Sequence, residues 1–184
     1  MAIRILILYL LSFSAFAAEV AGVKFPDADQ QLLLNGAGLR KRAFFEVYAI
    51  GLYLSEKKAA AADAIGATGP KRVAIHMLRD VSADQFGGAL TDGMKDNISE
   101  AEMKAFEPRI RQLSSAMNSM GEAKKGMRVT LDWVPAAGTQ VTVDGKPSGA
   151  TIPGEDFYRA LLKIWLGERP VQPDLKKALL GEKP

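Results

Sequence analysis

Apolar residues follow two periods along this chain, and the switches between them mark out its elements. Residues 20–34 alternate around Val20, Val23 and Phe25 and then Leu32 to Leu34, which predicts one or two short strands. Asn35-Gly36-Ala37-Gly38 reads as a turn, because Asn and Gly tolerate positive φ. Phe44 to Leu54 predicts a longer strand that is apolar on both alternating faces. Tyr48, Ile50 and Leu52 lie on one face, and Phe45, Val47, Ala49 and Tyr53 on the other. A strand of that kind is covered on both sides. Lys57 to Ala64 predicts a short helix and Val73 to Leu78 a strand.

The period then becomes helical. Ser82-Ala83-Asp84-Gln85 and Ser99-Glu100-Ala101-Glu102 both have the spacing of a capping box. The first opens a helix running towards Asn97. The second precedes Met103, Phe106, Ile110, Leu113, Met117 and Met120 at three- and four-residue spacing. Pro108 lies inside that run and predicts a kink or a break. Alternation returns at Met127, Val129, Leu131 and Trp133 and again at Val141 and Val143, with a Pro135–Thr139 turn between and a tight turn at Asp144-Gly145. Residues 155–166 are amphipathic, with Glu155 and Asp156 at the positive end and Gly167 as the stop. Asp174 to Leu180 predicts a last helix. Strands, helices, strands, helix is the order of an α+β domain with an antiparallel sheet.

The first 17 residues stand apart from this pattern. Arg4, the apolar run Ile5–Leu11 and the Ala15-Phe16-Ala17 site have the layout of a cleavable signal peptide. The run is shorter than the roughly 20 residues that span a bilayer. Residues 1–17 are therefore expected to be a signal peptide, cleaved after Ala17, and 18–184 a single domain in the periplasm or secreted, with no stable membrane insertion after cleavage. The chain has a formal net charge of +3, and removing Arg4 lowers it by one, which points to no nucleic-acid partner. It has no cysteine and one histidine, so disulfides, a thiol nucleophile and a typical zinc site are excluded. No metal or cofactor is expected.

Few residues suggest chemistry by themselves. No phosphate loop, nucleophile elbow or H-E-x-x-H motif occurs. His76 stands alone in its strand and reads as structural or solvent-facing. Lys41, Arg42, Lys57, Lys58, Lys124 and Lys125 read as solvated charges. Glu46 interrupts an apolar strand, either at the sheet edge or paired with a cation.

Three stretches carry a resemblance. LLLNGAGLRKRAFFEVYAIGLYL (Leu32–Leu54) resembles the chalcone isomerase signature, RDVSADQ (Arg79–Gln85) the start of that family's helical segment, and WLGERPVQPDLKKALLG (Trp165–Gly181) its closing helix. The chain is similar to the short bacterial branch. The resemblance implies an antiparallel β-sheet packed against helices on one face, the chalcone-isomerase-like open-faced β-sandwich, with a cleft between sheet and helices.

Active members cyclise a chalcone by attack of a phenolate on an enone, which needs an anchored anion and preorganised donors for the developing enolate. Carried over by resemblance, the strand arginine is retained as Arg40. The threonine before Ala-Ile-Gly becomes Tyr48, the helix tyrosine falls on Phe86, the asparagine on Gly93 and the closing-helix threonine on Ile164. Losing one oxyanion donor can cost on the order of 10²-fold in rate, so isomerase chemistry is not expected. Fatty-acid-binding members hold a carboxylate with the same arginine and a tyrosine on the Ala-Ile-Gly strand. The resemblance thus implies a small amphipathic carboxylate ligand, with Arg40 and Tyr48 at its head group and Phe86 and Ile164 along its chain. Two alternatives stand beside this. One is an isomerase or intramolecular lyase on another substrate, using Arg40 and Tyr48 as its catalytic groups. The other is a structural or partner-binding protein in which Arg40 pairs with Glu46 or a backbone carbonyl. The oligomeric state is open.

Overall fold

The structure, a computed structural model, describes residues 16–182. The strands are β1 (Phe16–Val20), β2 (Val23–Pro26), β3 (Ala28–Asp29), β4 (Leu32–Arg42), β5 (Phe45–Leu54), β6 (Lys71–Met77), β7 (Val81–Ser82), β8 (Glu122–Ala123), β9 (Arg128–Val134), β10 (Gly138–Val143) and β11 (Lys146–Pro147). The helices are α1 (Ala61–Gly66), α2 (Ala83–Lys95), α3 (Glu100–Asn118), α4 (Glu155–Leu166) and α5 (Pro173–Leu179). A seven-stranded antiparallel sheet has the order β11-β10-β9-β6-β5-β4-β3. The expected signal segment lies outside the described residues except for Phe16 and Ala17, which begin β1.

Side chains alternate across the sheet, and each face has its own core. Tyr48, Ile50 and Leu52 join Val73, Ile75, Val129, Leu131 and Val141 beneath α2, α3, α4 and α5. The opposite face buries Ala49, Tyr53 and Ala74 with Leu32, Leu34 and Phe25 of the β1–β2 hairpin. β5 is therefore covered on both sides, as its double apolar pattern predicts. Gly51 makes room for the hairpin, since a Cβ there would lie 2.7 Å from the Phe25 ring. His76 packs edge-on against Phe25 at 5.4 Å between centroids, and burial lowers its pKa, as suits a structural imidazole.

Four local expectations change. Asn35–Gly38 is not a turn but the middle of β4. Its glycines serve close approach: a Cβ on Gly36 would lie 2.1 Å from the Ala178 carbonyl oxygen, and one on Gly38 2.7 Å from Leu175 Cδ1, so α5 packs directly on the strand. The helix expected at 57–64 forms at Ala61–Gly66. α3 continues through Pro108 without a break. The Ser99 capping box is complete, whereas Ser82 caps only one way, accepting from the Gln85 N–H.

A candidate carboxylate-binding cleft

A β-bulge carries Arg40 to the helix side. Leu34 pairs with Tyr53, but Gly36 pairs with Leu52, so Asn35 is an extra residue in β4. One extra residue reverses the alternation. Leu32 and Leu34 face the β1–β2 hairpin, whereas Gly36, Gly38 and Arg40 face the helices. Asn35 is buried and fully engaged. Its Nδ2 donates to the Leu179 carbonyl at 2.7 Å and the Lys58 carbonyl at 3.0 Å, and its Oδ1 accepts from the Lys58 N–H at 2.6 Å. Past the bulge, Arg40 and Tyr48 are direct cross-strand partners.

A cleft of about 770 Å³ opens beside this pair. Arg40, Tyr48, Phe86 and Ile164 all line it, together with Arg42 and Arg79. Phe86 comes from α2 and sets its ring edge-on to Tyr48, 6.4 Å between centroids. Ile164 comes from α4 and packs over Gly93, where a Cβ would lie 2.8 Å from Ile164 Cγ2. Gly93, where the resemblance places an asparagine, is therefore the point at which α2 and α4 cross.

The polar groups are arranged asymmetrically. Tyr48 is 7% exposed, and its hydroxyl accepts from Trp165 Nε1 at 3.0 Å. Burial pushes the phenol above its usual range, while the Trp165 N–H and the Arg40 guanidinium pull the other way. The hydroxyl therefore keeps its proton at neutral pH, and both of its polar neighbours are donors. That proton has no acceptor among the described residues. Arg40 is half-buried. It donates to the Lys41 carbonyl and, at 3.5 Å, to Gln172 Oε1. Gln172 also accepts from the Lys41 N–H at 2.8 Å and donates to the Leu39 carbonyl at 3.1 Å, so it ties the entry to α5 onto this strand. Glu46 is exposed at the sheet end and does not pair with Arg40. Of the structural alternatives for Arg40, only the backbone carbonyl is found.

Sequence reasoning placed four residues that meet in one cleft, and it missed three that complete it. Trp165 and Gln172 lie inside the closing-helix motif, and their N–H and amide were the available signal. Arg42, which reads as a solvated charge, lines the cleft. Among the described residues no cluster of three or more His, Asp or Glu could hold a metal ion, and no helix is long and apolar enough to cross a membrane.

A profile of the chalcone isomerase-like family matches residues 17–181. The chain belongs to the chalcone isomerase-like family. Comparison with curated protein sequences gives no match. Among solved structures, the fatty-acid binding protein AtFAP1 of Arabidopsis thaliana superposes with a TM-score of 0.69 at 16% identity. The match covers 86% of this chain and 92% of that one. At that identity the likeness speaks for the shared fold, a curled antiparallel sheet with helices, and not for a shared ligand.

Proposed function

We propose that this family member is an exported binding protein for a fatty acid or a similar amphipathic carboxylate. The observation that carries the reading is the Tyr48 hydroxyl, whose two polar neighbours are both donors and which lies with the Arg40 guanidinium in the lining of a cleft. Such a pair calls for an anionic acceptor, and a carboxylate offers two oxygens to it. Phe86 and Ile164 supply the apolar wall. The cleft volume is within the range of about 300–1,000 Å³ for small-molecule sites. The fold neighbour's description as a fatty-acid binding protein is in keeping with this. The leader of residues 1–17 would deliver the protein to the periplasm or beyond.

Burying about ten methylenes contributes roughly 8 kcal/mol, and charge-assisted bonds add about 2 kcal/mol. Association costs of about 4 kcal/mol or more leave about 6 kcal/mol or less, which is binding in the range of tens of micromolar or weaker. The lyase alternative, with Tyr48 as acid or donor, lacks the depressed Tyr48 pKa that would favour it, since burial raises the phenol. The structural alternative is weakened by the cleft beside Arg40.

Native mass spectrometry of the purified protein, before and after delipidation and with added fatty acids, tests the reading. A bound acyl species that Arg40→Ala loses is the expected result. No ligand under any condition, with an equally stable mutant, would overturn it.

A further inference from the structure

The end of the sheet that carries the cleft mouth has a second unusual feature. β4 and β5 are joined by Ala43 and Phe44 alone, and Ala43 is held at a φ of 53°. Left-handed backbone is uncommon for a residue with a side chain. This tight turn projects Phe44, which is 97% exposed, beside Phe45, which is 56% exposed. They are the two most exposed large apolar side chains among the described residues. Phe45 also lines the cleft, whereas Phe44 stands outside it.

Cations surround this tip. Lys41 and Arg42 precede it on β4. Arg79 comes from the turn after β6 and lies over the Phe45 ring at 4.5 Å. Lys124 and Lys125 sit on the adjoining turn, which is fixed by the Lys125 N–H donating to Asp80 Oδ1 at 2.7 Å and the Gly126 N–H to the Met77 carbonyl at 2.8 Å. Glu46 and Asp80 are the acids on these same three segments. Protruding aromatics within a field of lysine and arginine match the interface of an anionic bilayer, where acyl chains lie beneath negative headgroups. A protein partner would have to supply both a pocket for Phe44 and a broad acidic rim.

We propose that the β4–β5 tip docks on an anionic lipid surface, with Phe44 entering the headgroup–acyl boundary and Lys41, Arg79, Lys124 and Lys125 facing the phosphates. The cleft mouth then meets the bilayer, where an amphipathic carboxylate resides. The docking itself does not depend on the carboxylate reading; only the ligand's route rests on it.

Flotation with vesicles tests the proposal. The full protein is expected to float with vesicles containing phosphatidylglycerol, far less with pure phosphatidylcholine, and to be released by high salt. Phe44→Ser should lower the partition by roughly tenfold. Lys41→Glu with Lys125→Glu should lower it by at least about fivefold per charge. Phe44→Trp should show a blue-shifted emission on the anionic vesicles only. Because Phe44 stands outside the cleft, fatty-acid occupancy of Phe44→Ser without vesicles should equal the parent's, which separates failure of docking from failure of the carboxylate reading. No flotation with either vesicle, equal flotation of Phe44→Ser and the parent, or an emission of Phe44→Trp that does not move would overturn the proposal, the first outcome leaving a protein partner for the tip.

Discussion

Arg72 on one face of the sheet and Arg40 on the other are surrounded in opposite ways. On the hairpin side, Arg72 has its donors met on every side. Its Nε reaches Asp132 Oδ1 at 2.5 Å and its Nη1 reaches Asp29 Oδ2 at 2.8 Å. Its Nη2 reaches Gln30 Oε1 at 2.8 Å and Asp132 Oδ2 at 3.2 Å. Thr130 donates to the same Asp132, and Arg128 shares Asp29 at 2.6 Å. On the helix side, Arg40 has a backbone carbonyl and a long contact to Gln172, and otherwise faces the cleft. A guanidinium with five donors is a fastener where protein acceptors surround it and a receptor where they do not. Residue type alone does not separate the two roles; the number of acceptors that the fold brings within reach does.

The comparison can be broken most sharply at Arg72. Replacing it with Met leaves Asp132 and Asp29 short of their partner, and removing one side of a buried pair costs about 3–5 kcal/mol. Arg72→Met should therefore lower the denaturation midpoint strongly. Arg40→Met should change stability by under about 1 kcal/mol while weakening carboxylate binding by roughly tenfold or more. Equal stability losses in the two variants would erase the distinction.

The bulged strand sharpens it next. Gly36→Ala places a methyl group against the backbone of α5, and overpacking of this kind costs about 1–3 kcal/mol. Because α5 and Gln172 hold the Arg40 strand, this variant should lose both stability and ligand affinity, whereas Arg72→Met that remains folded should keep its affinity.

Acid titration of an Asp29 variant probes the hairpin side. Burial works to raise the Asp29 pKa, but hydrogen bonds and charge from Arg72 and Arg128 outweigh it and hold the carboxyl below its usual value. Its folded pKa is depressed, so its contribution is complete above the unfolded value of about 3.9 and is lost as pH falls through the folded one. Asp29→Asn should flatten the fall in stability below about pH 4. An unchanged acid profile would show that other carboxylates set it.

The smallest expected effect is at Trp165. Trp165→Phe removes the N–H that orients the Tyr48 hydroxyl, at a cost of about 1 kcal/mol. Ligand affinity should fall a few-fold, with the Tyr48→Phe variant insensitive to the same change. Full additivity of the two substitutions in a double-mutant cycle would show that Trp165 does not act through Tyr48.

Much of the architecture is legible in the chain. The continuous apolar run of Phe45–Leu54 and the period of 3.6 in Glu100–Asn118 and Glu155–Leu166 extend over many residues, and an extended pattern withstands local exceptions such as Pro108. Single positions are harder to read. Asn35-Gly36-Ala37-Gly38 has turn composition, and its glycines serve a helix that begins more than 130 residues later. His76 stands alone within its own strand, and the Phe25 ring it packs against comes from a hairpin that no local pattern places.

The sequence by itself determined the α+β order, the doubly covered β5 and the family resemblance, because periodicity and short motifs are local properties of a chain, and the resemblance pointed to Arg40, Tyr48, Phe86 and Ile164, which line one cleft. Only the tertiary structure decided that Arg40 and Tyr48 share a face, because that depends on one extra residue in β4, Asn35, which α5 holds in place. It also set Trp165 against Tyr48 and Gln172 against the Arg40 strand, and surrounded Arg72 with acceptors while leaving Arg40 beside the cleft. Those outcomes depend on which acceptors come within about 3 Å, and that distance is set by packing between segments far apart in sequence.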